Sequence, residues 1–240
     1  MQKKLQTYRQ ALGFLLLGAV GLISGCAGSN GQLASTQSSP TTIHYEFTGI
    51  PPLYFGYGSS VPLTKELSLT AAHVAKLNFA NVVAYHPTCD LAIIESDNSQ
   101  AVLPTLGFVR QGESVFTYGM DGFGEMLTGK GTYHLDLTFA NRQYLEDCPG
   151  SVMDAPIRGG MSGGATYNAQ GELVGVITAM ASKWDTRLAN GKELPYDRLS
   201  LFVSMNYVQD WLNNEVQNYY FDTAYALNWS LDSTQLVNAE

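Results

Sequence analysis

The sequence is short of positive charge. Its 240 residues carry 13 Lys and Arg against 21 Asp and Glu, a formal net charge of −8. Residues 1–25 hold three basic and no acidic side chains, so the remainder stands at −11. Such a chain has no electrostatic footprint for nucleic acid and is repelled by anionic surfaces. Metal-ligand patterns are also lacking. The four histidines (His44, His73, His86, His134) are dispersed, and neither C-x-x-C nor H-E-x-x-H occurs, so neither a metal nor a cofactor is expected. The longest apolar run, Ala11 to Ile23, has thirteen residues, against about 20 for a comfortable bilayer span. No internal repeat of fixed period is found. What is present is 45% hydrophobic residues, enough for a substantial core and too many for a disordered stalk. The 215 residues after position 25 suit one domain, or two small lobes sharing a cleft.

The apolar run follows Lys3, Lys4 and Arg9 and ends in Ile23-Ser24-Gly25-Cys26. A basic n-region, a short apolar stretch and small residues before a cut mark residues 1–25 as a signal peptide. The ending resembles the bacterial lipobox, which implies cleavage before Cys26 and acylation of that cysteine. Ala27, in place of an aspartate, is similar to the pattern of outer-membrane lipoproteins. The expected place is therefore the bacterial envelope, with the bilayer held through acylated Cys26. Residues 26–42 are rich in Ser, Gly, Thr, Gln and Asn and read as anchor plus flexible tether.

From Ile43 the texture is one of short strands broken by glycine and proline. Ile43–Phe47, Leu53–Tyr57, Leu67–Thr70, Phe79–Tyr85 and Leu91–Glu95 form a first set, an N-lobe over about 43–100. After a connection, Ser114–Tyr118, Met126–Thr128, Thr132–Phe139, Ala165–Tyr167, Leu173–Ala179 and Leu199–Ser204 form a second, a C-lobe over about 112–205. Strands at this spacing predict an all-β barrel or sandwich. Val203 to Gln217 lacks proline and glycine and sets Val208, Trp211, Leu212 and Val216 at helical spacing. A C-terminal helix over 203–217 is expected, with residues 218–240 as a tail in which Trp229 and Leu231 are candidates for docking.

Chemistry concentrates at Gly159-Gly160-Met161-Ser162-Gly163-Gly164. Four glycines around one serine permit a tight turn and close approach by other groups. A serine hydroxyl attacks poorly unless a base removes its proton and donors stabilise the oxyanion. The backbone N–H groups of Gly160 and Ser162 are the candidate donors. His73 follows the strand end Leu69-Thr70-Ala71-Ala72, and Asp90 opens the apolar strand Leu91–Glu95, whereas Asp97 only follows it. The order is thus His73, Asp90, Ser162. All four histidines precede the serine, which excludes the α/β-hydrolase elbow, whose histidine follows its nucleophile. This order is that of the chymotrypsin arrangement.

With Leu69-Thr70-Ala71-Ala72-His73-Val74, Asp90-Leu91-Ala92 and Gly160-Met161-Ser162-Gly163-Gly164 in place, the sequence resembles the trypsin-like serine peptidases. Leu173-Val174-Gly175-Val176-Ile177-Thr178 is similar to the strand that follows their nucleophile. The resemblance covers roughly residues 43–215. It implies two packed antiparallel β-barrels with the site between them, His73 as base, Asp90 as its orienting acid and Ser162 as nucleophile. It also implies that the Thr178 hydroxyl helps fix the aspartate. The expected activity is endopeptidase cleavage of polypeptides through an acyl-enzyme. The rival is a peptidase-fold module that binds a polypeptide without cutting it.

Three departures qualify the match. His73 and Asp90 are only seventeen residues apart, so the loops between them must be trimmed. Met161 stands where many members carry an aspartate that pairs with a newly cut N-terminus. Pro156 and Ile157 occupy the position that carries an acid in Arg/Lys-selective members, and Met180 falls near the pocket wall. The expected preference is for a small or medium apolar residue. Cys89 and Cys148 remain as an even pair that an exported location permits to bond.

Overall fold

The computed structural model describes residues 28–140, 148–182, 187–192, 196 and 198–220. Twelve strands and two helices follow in chain order. The strands are β1 (Ala34–Ser35), β2 (His44–Ile50), β3 (Tyr54–Pro62), β4 (Leu67–Thr70), β5 (Val82–Tyr85), β6 (Ala92–Glu95), β7 (Ser114–Met120), β8 (Met126–Leu137), β9 (Gly150–Met153), β10 (Ala165–Tyr167), β11 (Leu173–Ala181) and β12 (Leu199–Ser204). Helix α1 (Ala72–Ala75) is a single turn, and α2 (Met205–Tyr220) closes the described chain.

All strand pairings are antiparallel. In the C-lobe the order β8-β7-β10-β11-β12-β9 returns to β8, closing a six-stranded barrel with β1 added outside β8. The N-lobe is a five-stranded sheet in the order β2-β3-β4-β6-β5. This is the chymotrypsin-like architecture, with one ladder closed and the other a five-stranded sheet. Closure removes the free edges that otherwise invite pairing with other chains.

Strand β8 is continuous where the sequence reads two strands with a break between them. Gly129 and Gly131 produce that impression, yet each faces a close crossing: a Cβ would lie 2.5 Å from the Pro156 carbonyl and 2.2 Å from the Ala155 nitrogen. Strand β9 went unread because all four of its residues are buried, so it lacks the alternation that marks a half-exposed strand.

Helix α2 buries Val208, Leu212 and Val216, each with no exposed surface. Their i, i+4, i+8 spacing makes one stripe, and each such side chain contributes about 1.5–3 kcal/mol by leaving water. The helix starts and ends slightly later than 203–217 and reaches the N-lobe. Trp211 meets the His86 ring edge-on at 4.9 Å, and Tyr220 hydrogen-bonds Thr64 at 2.7 Å. A disulfide joins Cys89 of the N-lobe to Cys148 of the C-lobe, with Cα atoms 5.0 Å apart.

The expected tether is corrected in its described part, residues 28–42. Ser29 bridges Arg158, Ala34 and Ser35 pair with Thr128 and Leu127, and buried Thr41 bonds the hydroxyl of Tyr167. A Ser/Asn-rich segment has no apolar periodicity, yet its backbone pairs at 29, 34 and 35 and its Thr41 hydroxyl bonds Tyr167. Residues 1–27, with Cys26, and the tail from 221, with Trp229 and Leu231, lie outside the described residues. Among the described residues no helix is long and apolar enough to cross a membrane.

Candidate active site

The candidate base, His73, is presented by α1. Small residues let the chain turn at once from β4 into this helix, which buries Ala72, Val74 and Ala75 and leaves His73 outward. Asp90 lies just before β6, its position fixed by the disulfide at Cys89 and by His86. The His86 Nδ1 accepts from the N–H groups of Cys89 (2.9 Å) and Thr88 (3.2 Å). Burial holds the His86 pKa below its ordinary value, which suits a neutral ring accepting two bonds.

Asp90 holds His73 at two points. Its Oδ2 lies 2.7 Å from His73 Nδ1, and its Oδ1 accepts the His73 backbone N–H at 3.0 Å. The carboxylate side chain is 9% exposed, against 43% for the imidazole. An ionised carboxylate only accepts hydrogen bonds, so this contact places the ring proton on Nδ1 and leaves the Nε2 lone pair free. Asp97, by contrast, lies on the surface, where the Ser99 hydroxyl, and after it the Ser99 N–H at 3.0 Å, hold its carboxyl below the usual range.

Ser162 sits on the turn between β9 and β10. The Ser59 N–H donates to its carbonyl at 2.8 Å. A Cβ on Gly58 would stand 2.7 Å from the Val74 side chain and 3.1 Å from the Ser162 carbonyl, so His73's neighbour and Ser162 converge on β3. The Met161 N–H closes a tight turn on the Arg158 carbonyl at 3.0 Å, with Gly160 at φ +98° in its corner. The Gly160 carbonyl, part of the Gly160–Met161 peptide, is held by the buried Ser59 hydroxyl at 2.9 Å. Among the described residues, neither the Gly160 nor the Ser162 N–H is engaged as a donor. Both are available to an oxyanion.

Two features differ from the sequence expectations. The Thr178 hydroxyl donates to the Leu201 carbonyl at 3.3 Å and does not reach Asp90. Asp90 takes the His73 backbone N–H in its place. The Ser162 hydroxyl donates to the Thr178 carbonyl at 3.1 Å, and no bond to His73 is formed among the described residues. One neutral hydrogen bond of this kind is worth about 1 kcal/mol net.

Met161 has no exposed surface and packs with Ile157, Ile177 and Phe202. An aspartate here would be a buried charge, so packing replaces the ion pair that other arrangements use. Pro156 and Ile157 are likewise buried, and Met180 lies half-buried against the same cluster. Asp154, just before them, accepts the Thr132 N–H at 2.6 Å and lies 3.3 Å from His134 Nε2. Sequence reasoning missed Ser59, whose hydroxyl fixes the Gly160 carbonyl. A small residue in a strand gives no local signal of such a role. Among the described residues no group of three or more His, Cys, Asp and Glu is arranged to hold a metal ion.

The fold is chymotrypsin-like, and His73, Asp90 and Ser162 lie on it in the order that serine peptidases of that fold use. Residues 64–176 match the family model of the trypsin-like peptidase domain. The HtrA-type protease AlgW, solved with a tripeptide, is similar at a TM-score of 0.60 and 20% identity, over 75% of this chain and 62% of that one. The Rv3671c protease from M. tuberculosis in its active form is similar at 0.58 and 17%, over 72% and 80%. The chain thus spans less than two thirds of the AlgW chain, and at these identities the likeness is one of fold. No curated protein matches the sequence.

Proposed function

We propose that this chain is a serine endopeptidase acting on polypeptides of the bacterial envelope. The observation that carries the reading is the two-point hold of Asp90 on His73 beside a serine turn with two unengaged N–H groups. Ser162 Oγ attacks the scissile carbonyl carbon while His73 Nε2 takes its proton. The oxyanion is met by the Gly160 and Ser162 N–H groups. On collapse the peptide C–N bond breaks, and His73 returns the proton to the leaving amine. Water then hydrolyses the acyl-enzyme with His73 again as base. The bond from the Ser162 hydroxyl to the Thr178 carbonyl favours the second reading, a module that captures polypeptides without cutting them.

Pro156 and Ile157 are buried and Met180 is half-buried; none of the three is a carboxylate, and an unpaired cation beside them costs several kcal/mol. Digestion of a peptide library is expected to give cleavage after small or medium apolar residues. Cleavage chiefly after Arg or Lys contradicts this pocket, and no cleavage favours the binding module.

The same reading places the protein on a membrane through acylated Cys26. Two residues span at most about 7 Å, and the Gly28 carbonyl accepts from Gly159 N–H at 3.2 Å. An acyl chain at Cys26 therefore keeps the cleft close to the bilayer. Mass analysis of membrane-extracted protein is expected to show residues 26–240 plus acyl mass. An unmodified, fully soluble species overturns the anchor.

A further inference from the structure

The serine turn needs something to hold its Gly160 N–H in place, and Met161 provides no ion pair for the purpose. The residues that grip the turn come from the opposite end of the chain. Asn30 makes a two-way contact with Ile157: its N–H donates to the Ile157 carbonyl (3.2 Å), and its side-chain Oδ1 accepts the Ile157 N–H (2.8 Å). Its Nδ2 donates to the Ser200 hydroxyl at 2.9 Å, and that hydroxyl passes on to the Ala155 carbonyl at 2.6 Å. The Ser29 hydroxyl reaches the Ile157 carbonyl at 3.3 Å, and the Gly28 carbonyl takes the Gly159 N–H at 3.2 Å. The segment behaves as a short added strand along 157–159, ending one residue before Gly160.

We propose that Asn30 is a positioning residue, and that residues 28–30 are a built-in clamp ordering the oxyanion turn. The clamp fixes residues 157 and 159, Ser59 fixes the Gly160 carbonyl, and the buried Met161 fixes the far side. These supports bracket the Gly159–Gly160 peptide, which carries the Gly160 N–H, from both sides. Without the clamp, Gly159 and Gly160 are adjacent residues of high conformational freedom, and the Gly159–Gly160 peptide is free to turn its N–H away. The inference rests on the peptidase reading for its catalytic consequence, though not for its structural one. It also gives the 28–31 segment a purpose that a mere spacer lacks, because the stretch beside Cys26 is joined directly to the catalytic turn.

The test uses the full chain with Asn30→Ala and Asn30→Asp, followed by hydrogen exchange over residues 157–161, fluorophosphonate labelling of Ser162, and thermal melting. Asn30→Ala loses the Oδ1 and Nδ2 bonds. Exchange at Ile157 and Gly159 is expected to rise about tenfold or more, and the labelling rate to fall by a similar factor. The melting temperature should change little, since the segment lies outside the core. Asn30→Asp keeps the acceptor for the Ile157 N–H and loses only the Nδ2 donor, so it is expected to fall between the two. In peptide hydrolysis the loss should appear in kcat with KM nearly unchanged, because an oxyanion donor acts on the transition state. A general loss of stability would move melting and not this split. Wild-type exchange and labelling in every folded variant overturns the clamp; should Asn30→Ala fail to fold, Asn30→Asp alone decides. If wild type itself resists the probe, the peptidase reading falls, and the exchange data still support or overturn the clamp.

Discussion

Replacing Ser162 by alanine is expected to abolish both fluorophosphonate labelling and peptide hydrolysis while leaving the fold intact. The change removes one oxygen whose bond, to the Thr178 carbonyl at 3.1 Å, contributes about 1 kcal/mol. The site is walled by glycine, so no large cavity forms. A melting temperature near that of wild type, with no label, separates lost chemistry from lost structure. Asp90→Asn tests the same machinery from its far end. The Asn oxygen can accept the His73 backbone N–H, but its NH2 then faces Nδ1 as a donor and forces the ring proton onto Nε2. A ring protonated there cannot take the serine proton, and turnover is expected to drop about 10⁴-fold, the scale seen when this carboxylate becomes an amide in a Ser-His-Asp peptidase. Label remaining on Ser162→Ala, or an active Asp90→Asn, excludes the assigned roles. A folded wild type that takes no label at all leaves the binding module as the reading.

Much of this site was legible because its parts are local words. The strand-end histidine, the strand-opening aspartate and the glycine-flanked serine each announce themselves within six residues, and their order along the chain restricts the architecture. The strands of the N-lobe were legible for a similar reason, since turn signals bound them. What escaped depends on distant partners. Thr178 occupies a strand position that looks suited to supporting Asp90, yet its hydroxyl lies beside the Leu201 carbonyl of β12, and pairing register decides that. Residues 28–42 have the composition of a tether, but composition counts side chains without knowing what they meet. Asn30 meets Ile157 across 127 positions, and Thr41 meets Tyr167 across 126. Met161 was read as a missing acid. In the folded chain it is a core residue, and its burial is what makes an alternative hold on the turn necessary.

Gly163→Ala is expected to be nearly as damaging as loss of the nucleophile, by a different route. Gly163 lies at φ +87°, where a side chain costs about 1–2 kcal/mol. A Cβ there would also stand 1.9 Å from the Ser59 carbonyl oxygen and 2.3 Å from Thr70 Oγ1. Those two atoms already bond each other at 2.7 Å, so neither retreats without breaking that contact. Moving β3 back instead breaks the Ser59 N–H bond to the Ser162 carbonyl (2.8 Å), and moving the serine turn breaks the Gly163 N–H bond to Ile177 (2.7 Å). Overpacking adds about 1–3 kcal/mol, and each buried bond lost adds about 1 kcal/mol or more. The sum, about 4 kcal/mol, is a large share of an ordinary domain's 5–15 kcal/mol. For a domain of this size it lowers Tm by about 8–16 °C, and any folded remainder carries a displaced Ser162 and labels poorly. Gly112 provides the control, with a similar φ of +86° and nothing within 4 Å of a Cβ. Gly112→Ala therefore isolates the backbone strain and is expected to cost about 1–2 kcal/mol with labelling unchanged. If Gly163→Ala melts and labels like Gly112→Ala, the close approach of β3 to the serine turn is not what holds the nucleophile in place.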